Sequence, residues 1–453
     1  MITDEQYSAW LRDANAEPVI LVEATHSTGT VYVASQAYQT GQGETPAHTC
    51  YRAVMANSPE IVERLGSATV GDMDLVNDGS LDSWLDLYWR GYPLQLYLGD
   101  AGWVRSDFRL AVDAINGGIS RPSSGRLQWT IYDRAETIRV PVGSESNPIR
   151  LGSVFNAKAV LVDGVTLKYK AHSNPATSMT VRDNGVAVTL ASEDLTNAEF
   201  TLSQPPVGDI TVDVEQEDQT AAEMITHLCG LKGISVDAAN LTAFANTDTL
   251  GLSISHEMTL EEALTQFQTI GAQIRFDSLG KLQIYRLDEP QAAQATFTLT
   301  DADMVADGFS MESDEPPVTD YTVGYKRNWQ VQSADSLGDG LTAIDRDLYS
   351  TEYSTVTVTN AVSDYPLAQN RRRDTLLATQ AGAQSECNRL AGLRNTRRRV
   401  WKAVCFLSSQ TVQLGDVVNV QHPRWGFDNG RAALVIGITS RLGQRRRELY
   451  LWL

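Results

Sequence analysis

Short stretches that alternate apolar and polar residues, each cut off by a Gly, Asn or Asp turn, recur along this chain and confine it to a largely β architecture. Pro93-Leu-Gln-Leu-Tyr-Leu-Gly-Asp shows the pattern, alternating and then stopping at Gly99-Asp100. Such a segment lays one face on a core and ends in a hairpin turn. Residues 18–24 and 30–34 form two more strands around the turn Ser27-Thr28-Gly29. Residues 108–115, 127–132 and 138–142 extend the series, which reads as a barrel or sandwich. Tyr7, Trp10 and Leu11 mark one face of an opening helix over 4–15, and 80–87 reads as a short helix after a strand over 74–77.

The period then changes twice. Between about 150 and 216, strands over 159–162, 165–170, 179–182, 186–190, 199–202 and 210–214 make a second, smaller β unit. From Thr220, Ala221, Ala222, Ile225, Leu228 and Cys229 form a helical apolar face ending at Gly230. A second helix starts at Thr259, where Glu262 completes a capping box, and stops at Gly271. A hairpin through Ser278-Leu279-Gly280 closes this α+β stretch. Strands return at 320–325 and 355–359, a long helix is expected over 367–395, and strands at 399–407, 416–421, 433–439 and 448–452 finish the chain. The fold class is therefore mainly β with an α+β insertion, in four consecutive parts: 1–147, 148–216, 217–292 and 293–453.

Chemistry-bearing motifs are scarce. The six histidines make no H-E-x-x-H, and neither a G-x-S-x-G elbow nor a phosphate loop is present. Cys50, Cys229, Cys387 and Cys405 are scattered and read as reduced, mostly buried thiols. The carboxylates Asp72, Asp74, Asp78, Asp82 and Asp86 read as polar positions of a strand and turn, without the EF-hand pattern. No catalytic residue, metal ligand or cofactor is expected, and no apolar run is long enough to span a membrane or to act as a secretory signal.

Charge is the more telling feature. The chain carries a formal net charge of −19. From Pro366 onward 15 Lys+Arg face 5 Asp+Glu, so this end stands at +10 and the preceding 365 residues at −29. Three arginine runs, Arg371-Arg372-Arg373, Arg397-Arg398-Arg399 and Arg445-Arg446-Arg447, concentrate the basic charge. An acidic body would repel DNA, so the runs read as solvated faces or as contacts to acidic neighbours.

Three segments resemble phage tail-tip proteins of the baseplate hub family. They are Val70-Gly-Asp-Met-Asp-Leu-Val-Asn-Asp-Gly-Ser-Leu-Asp-Ser-Trp-Leu with the following Trp89–Asp100 stretch, Val318-Thr-Asp-Tyr-Thr-Val-Gly-Tyr-Lys-Arg-Asn-Trp, and Leu414-Gly-Asp-Val-Val-Asn-Val-Gln-His-Pro-Arg-Trp-Gly-Phe. The resemblance covers most of the chain except the added unit at 148–216. It implies two tail-tube-like β-barrel domains, at 1–147 and 293–453, and a non-enzymatic structural role. It also implies a homotrimer that joins a hexameric tail tube to a central fibre or spike. Other expected neighbours are a distal tail ring and a tape measure protein, with phage DNA passing only in transit through the lumen. The expected location is the virion tail tip, after assembly in the host cytoplasm. The nine arginines of the three runs are the expected intersubunit or tube contacts, and Asp72, Asp74 and Asp82 are candidates for the lumen. Two alternatives stand beside this reading: a hexameric distal tail protein, and a carbohydrate-binding tail component.

Overall fold

Val19-Ile-Leu-Val does not alternate as a half-exposed strand should, and its surroundings give the reason. The computed structural model describes residues 2–123, 125–244 and 246–453. In it the strand Pro18–His26 has apolar clusters on both faces. Ile20, Val22 and Ala24 join Leu94, Leu96, Val112 and Trp129 on one side. Val19 and Leu21 join Ala34, Tyr51 and Phe108 on the other. A strand covered on both faces reads as a continuous apolar run.

This strand sits inside an eight-stranded sheet whose order is Tyr38–Gln39, Cys50–Ala53, Gly29–Ala34, Pro18–His26, Pro93–Asp100, Arg109–Ser123, Arg126–Tyr132, Met73–Val76. Most neighbours are antiparallel, as hairpin connections require. The central pair matches Val22 to Leu96 and Ala24 to Leu94, which stacks the apolar positions on one face. Trp84, Trp89 and Trp129 pack together beneath it. The Trp129 indole N–H donates to the buried Asn116 side chain at 2.8 Å, so the aromatic core leaves no polar edge orphaned there.

A second eight-stranded sheet runs Ala295–Leu299, Val417–His422, Phe427–Arg441, Arg447–Trp452, Arg398–Cys405, Met304–Glu315. Its remaining strands are Glu60–Arg64, which pairs with Phe427–Arg441, and Ser67–Val70. Its core holds Trp401, Val418, Phe427, Val435, Leu449 and Leu451. Both sheets belong to one unit, built from Met1–Thr137, Ile274–Glu315 and Arg398–Leu453.

The other unit comprises Ile138–Gln273 and Pro316–Arg397. A five-stranded sheet orders Val186–Ala187, Ser178–Asp183, Ile210–Glu215, Ile149–Lys158, Gly251–Ile254. A four-stranded sheet orders Val160–Asp163, Lys168–Lys170, Glu199–Leu202, Leu190–Asp194, with Tyr169 stacked on Phe200. A three-stranded sheet places Val318–Tyr325 between Ser354–Thr359 and Gln369–Asp374. The helix Gln380–Leu393 packs on it, the Cys387 thiol reaching the Tyr321 carbonyl at 3.1 Å.

The fold class is the expected one, mainly β with short helices. The partition differs from four consecutive parts. Strand Ile149–Lys158 pairs with both Ile210–Glu215 and Gly251–Ile254, so 148–216 and 217–292 share a sheet. The last part divides between the units, because 316–397 builds its own sheet and helix while the flanking strands return to the other unit. The long helix expected over 367–395 is also corrected. Gln369–Asp374 is a strand in parallel pairing with Val318–Tyr325, and the helix starts only after Thr379, whose hydroxyl caps it. The opening helix ends earlier, at Leu11, and the short helix over 80–87 is a 3-10 turn at Asp82–Asp86.

Candidate assembly surfaces

Arginine reaches a long way, so whether an Arg run is a contact surface depends on what its guanidinium groups already bind. The three runs meet different fates. Strand alternation turns Arg398 inward, where it is buried, lies 4.9 Å from the Trp452 ring and pairs with Glu289 at 3.1 Å. Arg399 lies 3.8 Å from Asp314, and Arg397 is exposed. Arg447 is buried as well. Its Nη1 donates to the Gln410 carbonyl at 3.0 Å and its Nη2 to the Val412 carbonyl. Burial among these carbonyls pulls its pKa down to about 10. Arg445 donates to the backbone of Ala14 and Ala16, tying the turn before the last strand to the opening segment. Arg446 is exposed, with its guanidinium 5.8 Å from the Phe406 ring.

The run Arg371-Arg372-Arg373 lies on an outer strand of the three-stranded sheet. Arg371 and Arg372 are exposed, Arg373 is half-buried, and Arg372 pairs with Asp374 at 2.8 Å. Of the nine arginines, Arg398 and Arg447 therefore serve the interior of the chain. Arg371, Arg372, Arg397, Arg445 and Arg446 lie on its surface.

The acidic stretch is a set of local hydrogen-bond acceptors. Asp72 accepts from Gln128 at 2.8 Å, Asp74 from Asn57 at 3.1 Å, and Asp82 from Asn77 at 2.8 Å. Among the described residues no group of three or more His, Cys, Asp or Glu side chains is placed to hold a metal ion. Among the described residues no helix is long and apolar enough to cross a membrane. Cys50 is exposed while the other three cysteines are buried. Burial pushes the Cys229 and Cys405 thiols up to about 12, which keeps them unreactive near neutral pH.

Two charged networks carry no sequence signal. Glu23 accepts from Arg105 at 2.8 Å and from the Tyr51 hydroxyl at 2.5 Å, and the Arg105 guanidinium lies 3.6 Å from the Tyr97 ring. Arg275 pairs with Glu63 at 2.9 Å. Their members lie tens to hundreds of positions apart, so neither spacing nor composition marks them. Arg150, the single charge within Ile149-Arg-Leu-Gly-Ser-Val-Phe, belongs to no motif either, and only its burial in the fold singles it out.

No family model and no curated protein matches the chain. Solved structures do. The 43 kDa tail protein of prophage MuSo2 from Shewanella oneidensis is similar at 12% identity over 96% of this chain and 97% of that one, with a TM-score of 0.46. The tail protein from Neisseria meningitidis MC58 is similar at 11% identity over 96% and 97%, with a TM-score of 0.47. Prophage tail protein gp18 from Listeria monocytogenes EGD-e is similar at 8% identity over 96% and 94%, also at 0.47.

Proposed function

We propose that this chain is a structural component of a phage tail tip, a baseplate hub that assembles as a homotrimer and whose sheets line the channel for DNA ejection. The observation that carries the reading is that one unit of one chain contains two eight-stranded sheets. Three copies would then contribute six such sheets, the number needed to continue a hexameric tube. The −29 charge of the first 365 residues supports a channel wall that repels DNA in transit. The exposed Arg371, Arg372, Arg397, Arg445 and Arg446 supply cationic positions for meeting acidic neighbours, whether another copy, a distal ring, a tape measure or a central fibre or spike. In this role the protein works by geometry and is not an enzyme.

Native mass spectrometry of the full chain, together with symmetry at its position in the intact particle, tests this. Three copies per ring is the expected result. Six copies would favour the distal tail protein, and a monomer at every concentration and in the particle would end the reading. A channel lined chiefly by Arg and Lys would contradict the acidic wall. Saturable binding on a glycan array would favour the carbohydrate-binding alternative.

A further inference from the structure

Among the described residues Arg150 is a cation without an anion. Its side chain is fully buried in the strand Ile149–Lys158. Nη1 donates to the Ala171 carbonyl and Nη2 to the Lys158 carbonyl, while Nε has no partner among the described residues. Carbonyl dipoles orient a guanidinium but leave its charge in place. Of the other buried arginines, Arg105, Arg275 and Arg398 have the carboxylates of Glu23, Glu63 and Glu289, whereas Arg447, like Arg150, is held by backbone carbonyls. A buried charge without a counter-ion is costly, and an anion brought to it recovers part of that cost.

Arg150 also lines a cavity of about 620 Å³ in the same unit. Lys158, Ser253, Ser255, Trp329 and Leu161 line it too. Ser253 lies directly across from Arg150 in the strand register, so both side chains point to the same side of the sheet. Glu145, the carboxylate among the lining residues, is exposed to solvent. Leu161 is 53% exposed and is followed along the same hairpin by Val162 at 51% and Val165 at 93%. With Ser146 also in the lining, the cavity thus joins two cations and three hydroxyls to an apolar wall. A carboxylate takes charge-assisted hydrogen bonds from the first set, and an apolar body covers the second.

We propose that this cavity is a binding site for an organic carboxylate with an apolar body, held by Arg150 and Lys158 and packed on Trp329 and Leu161. The carboxylate belongs either to a free small acid or to the end of a polypeptide. This inference stands apart from the assembly reading and does not depend on copy number.

Ligand-observed NMR on the full chain tests it with phenylacetate against phenylacetamide, and with N-acetyl-Gly-Gly-Phe against its C-terminal amide. The acid of a pair is expected to bind at least about tenfold more tightly than the amide, with Kd below about 10 mM. Arg150→Met is expected to abolish the preference. Should that variant fail to fold by circular dichroism, Lys158→Glu at the exposed end of the strand decides, and is expected to reduce the preference at least about threefold. Binding of the peptide acid as tight as that of phenylacetate assigns the ligand to a chain end, and binding of phenylacetate alone assigns it to a small acid. Both outcomes support the site. Equal binding of acid and amide, no binding of either acid up to about 10 mM, or an undiminished preference in a folded variant overturns it.

Discussion

Arg446 and Arg447 are neighbours in sequence and opposites in surroundings. Arg446 lies just before the last strand and is exposed, whereas Arg447 opens that strand and reaches the Gln410 and Val412 carbonyls. Arg447→Met removes the donors and leaves buried carbonyls unmatched, so it is expected to cost about 2–4 kcal/mol in urea unfolding. Arg446→Ala is expected to stay within about 0.5 kcal/mol of the parent. Equal effects would show that the burial of Arg447 is misassigned. His172 makes a pH-dependent counterpart. It is buried, accepts the Arg150 backbone N–H at 2.9 Å through Nδ1, and leaves Nε2 unpartnered among the described residues. Burial holds its pKa down at about 4, the Pro148 carbonyl opposing this and the charges of Arg150, His227 and Lys170 adding to it. In the unfolded chain the ring titrates near 6.5. Between these values the unfolded state binds the extra proton. This contribution to stability is therefore complete above about pH 6.5 and is lost as pH falls to about 4. His172→Asn, which keeps an acceptor, is expected to flatten that part of the stability-versus-pH curve. A curve of unchanged steepness would sink the assignment.

Elements follow local rules until pairing overrules them. Thr259 accepts the Glu262 N–H at 3.2 Å and donates its own N–H to the Glu262 carboxylate at 2.7 Å, completing the capping box legible in the sequence. The helix runs over Leu260–Thr265, tightens into a 3-10 turn, and stops at Gly271, whose φ of 86° suits a residue without a side chain. Thr259→Ala is expected to destabilise by about 1 kcal/mol, measured by thermal or urea unfolding. The stretch 367–395 behaves differently. Its first third lacks a strong β pattern, yet the open edge of Val318–Tyr325 recruits Gln369–Asp374 into parallel pairing. A partner close to fifty positions away along the chain outweighs a weak local preference, as β propensity generally allows. The helix Ala343–Ser350, capped by Thr342 and Asp345, is only eight residues long and carries Asp345, Arg346 and Asp347 in its middle, so its apolar side is reduced to little more than Leu348 and the buried Tyr349.

For the whole molecule, surface charge is where the assembly reading makes its strongest demand. Arg446→Glu and Arg371→Glu replace exposed side chains and are expected to leave the thermal unfolding midpoint within a few degrees of the parent. If the basic positions meet acidic neighbours, either reversal is expected to weaken assembly at least about tenfold by analytical ultracentrifugation, and more so at low salt. Assembly indifferent to both reversals would remove those arginines from the proposed contacts while leaving the sheet-based part of the proposal to the copy-number measurement.

The sequence alone determined the mainly β class, most strand positions, the capped helices and the uneven charge, because these depend on periods and caps readable within a dozen residues. Tertiary structure alone decided that Glu60–Arg64 completes the sheet built from the chain's end, that 316–397 leaves its flanking strands for another unit, and that Arg398 and Arg447 are the buried arginines of their runs. It also decided that Arg150 lines a cavity with no carboxylate partner among the described residues. Pairing between distant strands is worth the same whatever the intervening length, apart from a slowly growing loop entropy. No short window of sequence therefore encodes it.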